Sequence, residues 1–262
     1  MKKENTALAA GLVFIGVVMA GMFYFEVEVL AALAFPVFAI GMSPYFYIRS
    51  KEKEKKWLSK AAALDGRSVL DETEWIFERN GSPAASMSIL NKGGAYIGAY
   101  KIVNLPFIKK VSSMVFAGAD AYYSFTAGVF TSHNEPAAAF QKRKEDKQTV
   151  LEIRGHSGET AGYYKEDNKK LTRINGAIYT ADGDLLCEVK TKSMAGDFDI
   201  HTTDGRFFAS YRFGYFDYAM KPQFQKSVAL DIVKVGNELS HGEKTIAAAV
   251  VCYWMSYMQR GN

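Results

Sequence analysis

Cysteine and histidine are scarce in this chain of 262 residues. It has two cysteines, Cys187 and Cys252, and neither belongs to a C-x-x-C pair. Two thiols do not make a disulfide framework in a chain of this length, so both are expected to be reduced, as in the cytosol. The four histidines lie far apart and form no H-x-H or H-x-x-x-H pair for zinc. The sequence therefore predicts neither a disulfide scaffold nor a metal site.

Motifs that carry nucleotide or catalytic chemistry are also missing. Neither a P-loop nor a dinucleotide-binding glycine pattern is present. Gly155–Gly158 resembles part of a nucleophile elbow, but Glu159 stands where G-x-S-x-G requires its last glycine, so this stretch is predicted to be a turn. The fragments 182–184 and 197–199 each contain two aspartates, yet neither continues into a twelve-residue calcium loop. The sequence predicts no enzyme activity and no cofactor.

A strongly basic surface is missing from most of the chain. The net charge is +4 with histidine neutral, and residues 1–60 contribute +3 of it, which leaves +1 for residues 61–262. Nucleic-acid-binding domains usually present a basic face, so nucleic acid is not an expected partner.

Two long uncharged runs occur near the start of the chain, at residues 7–25 and 29–48. Each has about twenty residues, enough for a helix to span a hydrocarbon core of about 30 Å. A cleaved signal peptide is the alternative for the first run, but it is longer than a usual signal core and a second run follows closely. Residues 1–48 are therefore predicted to form a transmembrane hairpin that places the chain in the lipid bilayer.

The flanking charges predict how such a hairpin would be oriented. Lys2 and Lys3 precede the first run, six basic residues follow the second, and the turn at 25–29 has two glutamates and no basic residue. The positive-inside rule then places the N-terminus and the C-terminal domain in the cytoplasm, as in a multi-pass protein of the cell membrane. Because no charged residue lies inside either run, the hairpin is predicted to be an anchor and not a conduit.

A basic linker, residues 49–66, follows the hairpin and is predicted to be a helix. Its cationic side chains and one tryptophan are candidate contacts with anionic lipid headgroups at the membrane surface. The alternative is that they only determine topology. The candidate contact residues are Arg49, Lys51, Lys53, Lys55, Lys56, Trp57 and Lys60.

Residues 67–262 are predicted to form a β-rich cytoplasmic domain. Alternating apolar residues and turn signals predict strands at 86–91, 95–104, 111–118, 122–131, 149–154 and 160–165. Val69–Gly81 fits either a helix or a strand, and Ser132–Gln148, with its mixed charges, is predicted to be an exposed loop. Lys92, Lys101, Lys109 and Lys110 could form a basic patch, although strand lysines are more often simply solvated.

An internal pattern supports a sheet of successive hairpins. The form I-x-T-x-D-G-x-[LF]-[LF] occurs at 178–186 and again at 200–208. Asp-Gly favours tight hairpin turns because glycine accepts a positive φ, and the flanking residues favour strands. Two copies are too few for a solenoid, so a barrel built of hairpins is predicted.

The last predicted element is a helix at 241–258. Ser240 and Glu243 have the spacing of a capping box, and Ile246–Met258 is apolar on nearly all sides. Such a helix must be buried, most simply inside the barrel, because thirteen residues are too few for a membrane span. The alternative is that Ile246–Met258 inserts into the membrane.

Hairpins with x-D-G-x turns followed by one apolar C-terminal helix resemble the tubby C-terminal-like superfamily, which includes tubby proteins, phospholipid scramblases and LURP-one-related proteins. The resemblance covers about residues 85–258 and implies a closed antiparallel barrel of about twelve strands around a C-terminal helix. Tubby proteins bind phosphoinositide headgroups through basic residues, but those positions find no one-to-one match in this sequence.

The predicted fold class is therefore a membrane-anchored α+β protein, with a two-helix N-terminal transmembrane hairpin and a mainly antiparallel tubby-like β-barrel around a buried C-terminal helix. The expected function is that of a bacterial integral membrane protein whose cytoplasmic domain is a non-catalytic module, binding lipid headgroups or a membrane protein at the inner leaflet. A membrane enzyme or lipid scramblase is the alternative.

Overall fold

The computed structural model of the chain describes Val13 and residues 68–79, 86–104, 123–146, 148–167, 174–191, 197–214 and 230–258. These residues form twelve β-strands and one long α-helix, preceded by a short 3-10 turn at Val69–Asp71. The strands are β1 (Glu74–Arg79), β2 (Ser86–Leu90), β3 (Tyr96–Asn104), β4 (Phe125–Thr131), β5 (Pro136–Glu145), β6 (Gln148–Arg154), β7 (Thr160–Asp167), β8 (Asn175–Thr180), β9 (Leu185–Lys190), β10 (Phe198–His201), β11 (Phe207–Gly214) and β12 (Leu230–Val235); the helix is α1 (His241–Met258).

The strands form one antiparallel sheet that closes almost completely into a barrel. Strands that are neighbours in sequence pair with each other, and β12 pairs with β1, so that only β9 and β10 have no ladder between them. Across that seam the Thr203 amide donates to the Leu186 carbonyl at 2.8 Å, and the Thr203 hydroxyl donates to the Leu185 carbonyl at 3.2 Å. Closure removes the exposed strand edges that would otherwise pair with other chains.

The repeated Asp-Gly pattern corresponds to the hairpins β8–β9 and β10–β11. Gly183 and Gly205 have φ angles of 91° and 86°, which glycine adopts without strain. Their amides donate to the carbonyls of Thr180 and Thr202 at 3.1 and 2.9 Å. The prediction that these repeats are hairpins of one meandering sheet is confirmed.

The helix α1 runs through the barrel and forms the centre of its core. Every residue from Ile246 to Met255 is at most 5% exposed. Inward-facing strand residues, such as Ile153 and Val233, pack against it and are themselves buried. Because apolar side chains surround the helix on all sides, its uniform hydrophobicity is explained by burial inside the barrel. The prediction that the barrel buries this helix is confirmed.

The predicted fold class and location need correction. Within the ranges given above, no helix is both long enough and apolar enough to cross a membrane. The described structure is a nearly closed antiparallel barrel with one C-terminal helix, so the membrane-anchored class and the multi-pass location in the cell membrane are not supported. The two predicted spans, 7–25 and 29–48, and the linker 49–66 lie outside the described residues, apart from Val13.

Two local predictions are also corrected or resolved. Ser132–Gln148 is not a loop, because β5 occupies Pro136–Glu145 and pairs with both β4 and β6. The ambiguous stretch Val69–Gly81 contains the 3-10 turn and then β1. The segment 111–118 lies outside the described residues.

Candidate functional site

The two ends of the barrel differ in construction. At one end, called the turn end, lie the short connections β2–β3, β4–β5, β6–β7, β8–β9 and β10–β11, together with the start of α1. The opposite end, called the helix-exit end, is where α1 finishes and where β3, β5, β7 and β11 end. The turn end is held by tight hydrogen-bonded turns and by a group of ion pairs.

An arginine from the β10–β11 turn fixes the start of α1. Arg206 donates to both carboxylate oxygens of Glu243, at 3.0 and 2.8 Å, and its Nε donates to Asp204 at 2.8 Å. Glu243 also accepts from the Ser240 amide at 2.7 Å, while the Glu243 amide donates to Ser240 Oγ at 3.3 Å. This is the predicted capping box, extended by a bidentate arginine.

These contacts keep the acidic groups of the turn end ionised. The hydrogen bond from Arg206 lowers the pKa of Glu243, and the hydrogen bonds from Thr202 and Arg206 lower the pKa of Asp204 to about 2. The hydrogen bonds to Glu243 and Asp204 in turn raise the pKa of Arg206. The cluster is charged at neutral pH and saturated with partners, so its role is to hold the helix in register.

Further along the helix, aromatic rings fill the barrel. Tyr253 makes an edge contact with Phe140, with ring centroids 6.0 Å apart. Trp254 makes edge contacts with Tyr164 at 5.6 Å and with Phe198 at 5.2 Å. Edge-to-face pairs at these distances stabilise by about 0.5–1.5 kcal/mol each beyond the area that they bury.

One cationic side chain lies inside this aromatic layer. Lys142 of β5 is 1% exposed, and its Nζ lies 5.3 Å from the centroid of the Phe125 ring and 5.7 Å from that of Tyr253. The strand register places Lys142 opposite Phe125 on β4 and opposite Leu151 on β6, and Leu151 opposite Tyr164 on β7. These four residues form one inward-facing row near the helix-exit end, called the lysine row.

Two polar atoms beside the lysine row are buried and have no hydrogen-bond partner, the hydroxyl of Tyr164 and the indole Nε1 of Trp254. The indole and the Glu166 carboxylate are near enough to influence this hydroxyl, but neither forms a hydrogen bond of proper distance and angle with it. Burial, with a smaller effect from the Glu166 charge, raises the pKa of Tyr164 well above its ordinary value. Both groups are therefore neutral hydrogen-bond donors in an apolar interior, where such groups are rarely left unsatisfied.

The rim of the helix-exit end exposes apolar side chains. Val103 at the end of β3 is 63% exposed and Phe213 at the end of β11 is 46% exposed, more than any other large apolar residue among the described strands. The adjacent Arg212 is exposed, as is Lys144 near the end of β5. This rim combines apolar side chains with charged side chains of both signs, since the exposed Glu145 and Asp146 directly follow Lys144.

Acidic side chains are concentrated at the turn end. Nine carboxylates and three basic residues lie there, a net charge of −6. The other residues that the structure describes contain eleven acidic and ten basic side chains, a net charge of −1. The turn-end residues are Asp71, Glu72, Glu135, Glu159, Asp182, Asp184, Asp204, Glu238 and Glu243, with Lys92, Arg206 and Lys244.

The candidate membrane-surface contacts predicted from the sequence, Arg49 to Lys60, lie outside the described residues, as do Lys109 and Lys110. Of the other two lysines of the predicted basic patch, Lys101 has contacts within the barrel wall: its Nζ donates to Asn134 at 2.9 Å and lies 5.5 Å from the Phe130 ring centroid. The basic patch itself stays a prediction.

The candidate catalytic and metal-binding fragments are accounted for by local structure. Gly155–Gly158 is a turn, closed by a hydrogen bond from the Gly158 amide to the Gly155 carbonyl at 3.1 Å. Asp197 accepts from the Phe213 amide at 3.3 Å. In the described ranges no group of three histidine, cysteine or acidic side chains could hold a metal.

Both cysteines are buried free thiols. Burial raises the pKa of Cys187 to about 12 and also raises the pKa of Cys252. A thiol with a raised pKa is a poor nucleophile, so the surroundings favour a packing role for both.

Sequence reasoning missed the lysine row because Lys142 was assigned to a charged loop. The available signal was the alternation of side chains along β5. Ala138, Phe140 and Lys142 lie on the buried face, and Gln141 and Arg143 lie on the exposed face. The run of charges around Lys142 concealed this period of two.

No protein-family model matches this chain, and no curated protein or solved structure matches it either.

Proposed function

We propose that the barrel is a non-catalytic binding module that recognises anionic lipid headgroups through its helix-exit end. The observation that supports this most is the rim of the helix-exit end, where Val103 and Phe213 expose apolar side chains near the cationic Arg212 and Lys144, while the turn end carries −6. A negatively charged lipid surface repels the turn end, so the barrel would approach such a surface with the turn end facing away.

The filled interior favours a partner that is met from outside. The helix occupies the barrel axis, and none of its residues from Ile246 to Met255 is more than 5% exposed. Substrate sites are usually concave and lined by convergent polar groups. A barrel closed around its own helix is better suited to presenting a surface than to enclosing a substrate.

The rim residues have the chemistry that an interfacial contact uses. Val103 and Phe213 are exposed apolar side chains, with the cationic Arg212 adjacent to Phe213 and Lys144 at the end of β5. Apolar side chains insert at the boundary between headgroups and acyl chains, while each nearby basic residue contributes about 1 kcal/mol of attraction to anionic lipid.

Membership of the tubby C-terminal-like superfamily is part of this proposal. It is supported by the twelve antiparallel strands, the Asp-Gly hairpins and the central C-terminal helix. Headgroup binding through basic residues would then be shared with tubby proteins, at positions particular to this chain.

Flotation of the full chain with lipid vesicles tests the function. Binding is expected to be stronger to vesicles with anionic lipid than to neutral ones, and to weaken with salt. Val103→Asn and Phe213→Ser should each reduce binding severalfold, whereas Leu185→Asn, which changes an exposed apolar residue at the turn end, should not. Equal flotation with both vesicle types would contradict the proposal and favour a protein partner.

A further inference from the structure

Three apolar side chains on the outer wall of the barrel are buried. Ile232 of β12 pairs with Ile76 of β1, which pairs with Leu90 of β2, so the three side chains lie on one face of the sheet. The alternate residues Val233 and Trp75 belong to the interior cluster, so this face is the outer one. Ile76 is 0% exposed, Ile232 is 4% exposed and Leu90 is 5% exposed. These three residues are called the outer row.

None of the described helices and strands covers the outer row. The helix α1 lies inside the barrel. The 3-10 turn at Val69–Asp71 packs inward, because Val69 belongs to the interior cluster and its carbonyl accepts from the Trp75 indole at 3.0 Å. Neighbours in the same sheet stand beside an outward-facing side chain and not over it. The cover of the outer row therefore comes from a part of the chain outside the described ranges.

The position of the outer row indicates which part of the chain is close to it. Leu90 is the last residue of β2, so the row lies towards the turn end. Every internal gap in the described ranges joins strands at the helix-exit end, for example the gaps between β3 and β4 and between β11 and β12. The N-terminal region is different, because it joins the domain at Ser68, at the turn end and next to β1.

An acidic group with an unsatisfied oxygen lies beside the outer row. Glu74 precedes Ile76 by two residues on β1 and shares its face, and the Glu74 side chain is 15% exposed. Its Oε2 lies 3.9 Å from Nζ of Lys234, whereas its Oε1 is buried without a hydrogen-bond partner. Glu78 is a second carboxylate on this face. Because buried polar groups are normally paired, this face suits a cover that is apolar and also cationic.

We propose that the linker, residues 49–66, is this cover and crosses the outer row as a helix. It ends two residues before Ser68, and its part 57–64 reads WLSKAAAL. Helical spacing places Trp57, Ala61 and Leu64 on one side of such a helix. Eight helical residues are about 12 Å long, enough to cross three strands spaced about 4.8 Å apart.

The charges of the linker complement those of the wall. Residues 49–60 contain six basic and two acidic side chains, a net charge of +4. Lys53 and Lys60 lie at the edge of the apolar side of the helix, seven positions apart, and so can approach Glu74 and Glu78. This inference goes beyond the proposed function and does not rest on it, because the linker lies near the turn end and the lipid contact at the helix-exit end.

The exposure of Trp57 tests the docking in the full chain without vesicles. The chain has three tryptophans, and the other two, Trp75 and Trp254, are fully buried. The Trp57 fluorescence is measured as the difference between each protein and the same protein with Trp57→Phe. Acrylamide should quench it severalfold less than it quenches free tryptophan. Quenching of Trp57 as rapid as that of free tryptophan would overturn the docking.

Paired variants locate the contact. Leu64→Asp should increase the quenching of Trp57 about twofold or more, because an unpaired carboxylate is costly to bury. Ser59→Asp adds the same charge on the opposite side of the helix and should not, and neither variant alters the barrel. On the wall, Ile76→Ala should increase the quenching, whereas Val103→Ala, at a residue 63% exposed, should not. If Leu64→Asp and Ile76→Ala leave the quenching unchanged, Trp57 is shielded elsewhere and the inference is overturned.

Discussion

At the scale of single residues, Gly162 lies where the barrel wall packs closely against Ile246 of α1. A Cβ atom at Gly162 would lie 2.3 Å from the Tyr179 carbonyl oxygen and 2.7 Å from Cδ1 of Ile246. Gly162→Ala should therefore destabilise the domain by about 1–3 kcal/mol through overpacking. Gly242→Ala is the control, because nothing lies within 4 Å of a Cβ there and alanine favours the helix. Urea unfolding measures both; equal midpoints would contradict the close packing of β7 on α1.

The two thiols give a second prediction at the residue scale. Cys187 has a pKa of about 12 and that of Cys252 is also raised, since both are buried. Neither should react with a disulfide reagent at pH 8 in the native protein, and both should react after unfolding in urea. Rapid labelling of either thiol in the native state would mean that the barrel opens readily around it.

At the scale of elements, the ion pairs at the start of α1 make stability depend on pH. The pKa of Glu243 is lowered in the folded protein, and that of Asp204 falls from 3.8 to about 2. A lowered carboxylate pKa contributes stability that is present above the unfolded value and is lost as the pH falls, here between about pH 5 and pH 2. The thermal midpoint should therefore fall in acid.

Glu243→Gln tests the contribution of this cluster. The variant should be less stable at pH 7 and should lose less stability than the wild type when the pH is lowered to 3. Glu238→Gln, which changes an exposed carboxylate in the preceding turn, is the control and should leave both midpoints unchanged. Parallel acid curves for Glu243→Gln and the wild type would show that Arg206 does not stabilise the helix through this charge.

At the scale of the whole molecule, the helix fills the interior of the twelve-stranded barrel, which would otherwise be hollow. A chain ending at Ser240 would expose the inner faces of all strands, including Ile153, Val189 and Val233. It should bind hydrophobic dyes and lose its cooperative unfolding transition. Near-ultraviolet circular dichroism and calorimetry measure this, with a chain ending at Met258 as control. If the shorter chain still unfolds cooperatively, the sheet is stable without the helix.

Much of the barrel could be predicted from the sequence because its signals are local. The Asp-Gly turns require a positive φ at one residue, and Ser240 with Glu243 forms the cap from residues three apart. The uniform hydrophobicity of α1 indicated burial, and the predicted barrel of strands supplied an interior large enough for it. The two apolar runs near the N-terminus dominated the predicted fold class, whereas among the described residues no helix could span a membrane.

The candidate site was beyond prediction because it depends on register across three strands. Lys142 and Tyr164 are 22 positions apart, and they share a row only because β5, β6 and β7 pair as they do. Lys142 also looks like its exposed neighbours Arg143 and Lys144 in a charged run. Its burial follows from strand alternation, which a single residue cannot reveal.

The position of α1 after all twelve strands has a consequence for how the domain is made. The ribosome synthesises the strands first, so the sheet has no central support until the helix emerges. The pairing of β1 with β12 also joins residues 154 to 160 positions apart in the chain, and such long-range contacts slow folding. The domain should therefore fold only after α1 has left the exit tunnel. Until then its unfinished strands would need protection by a chaperone.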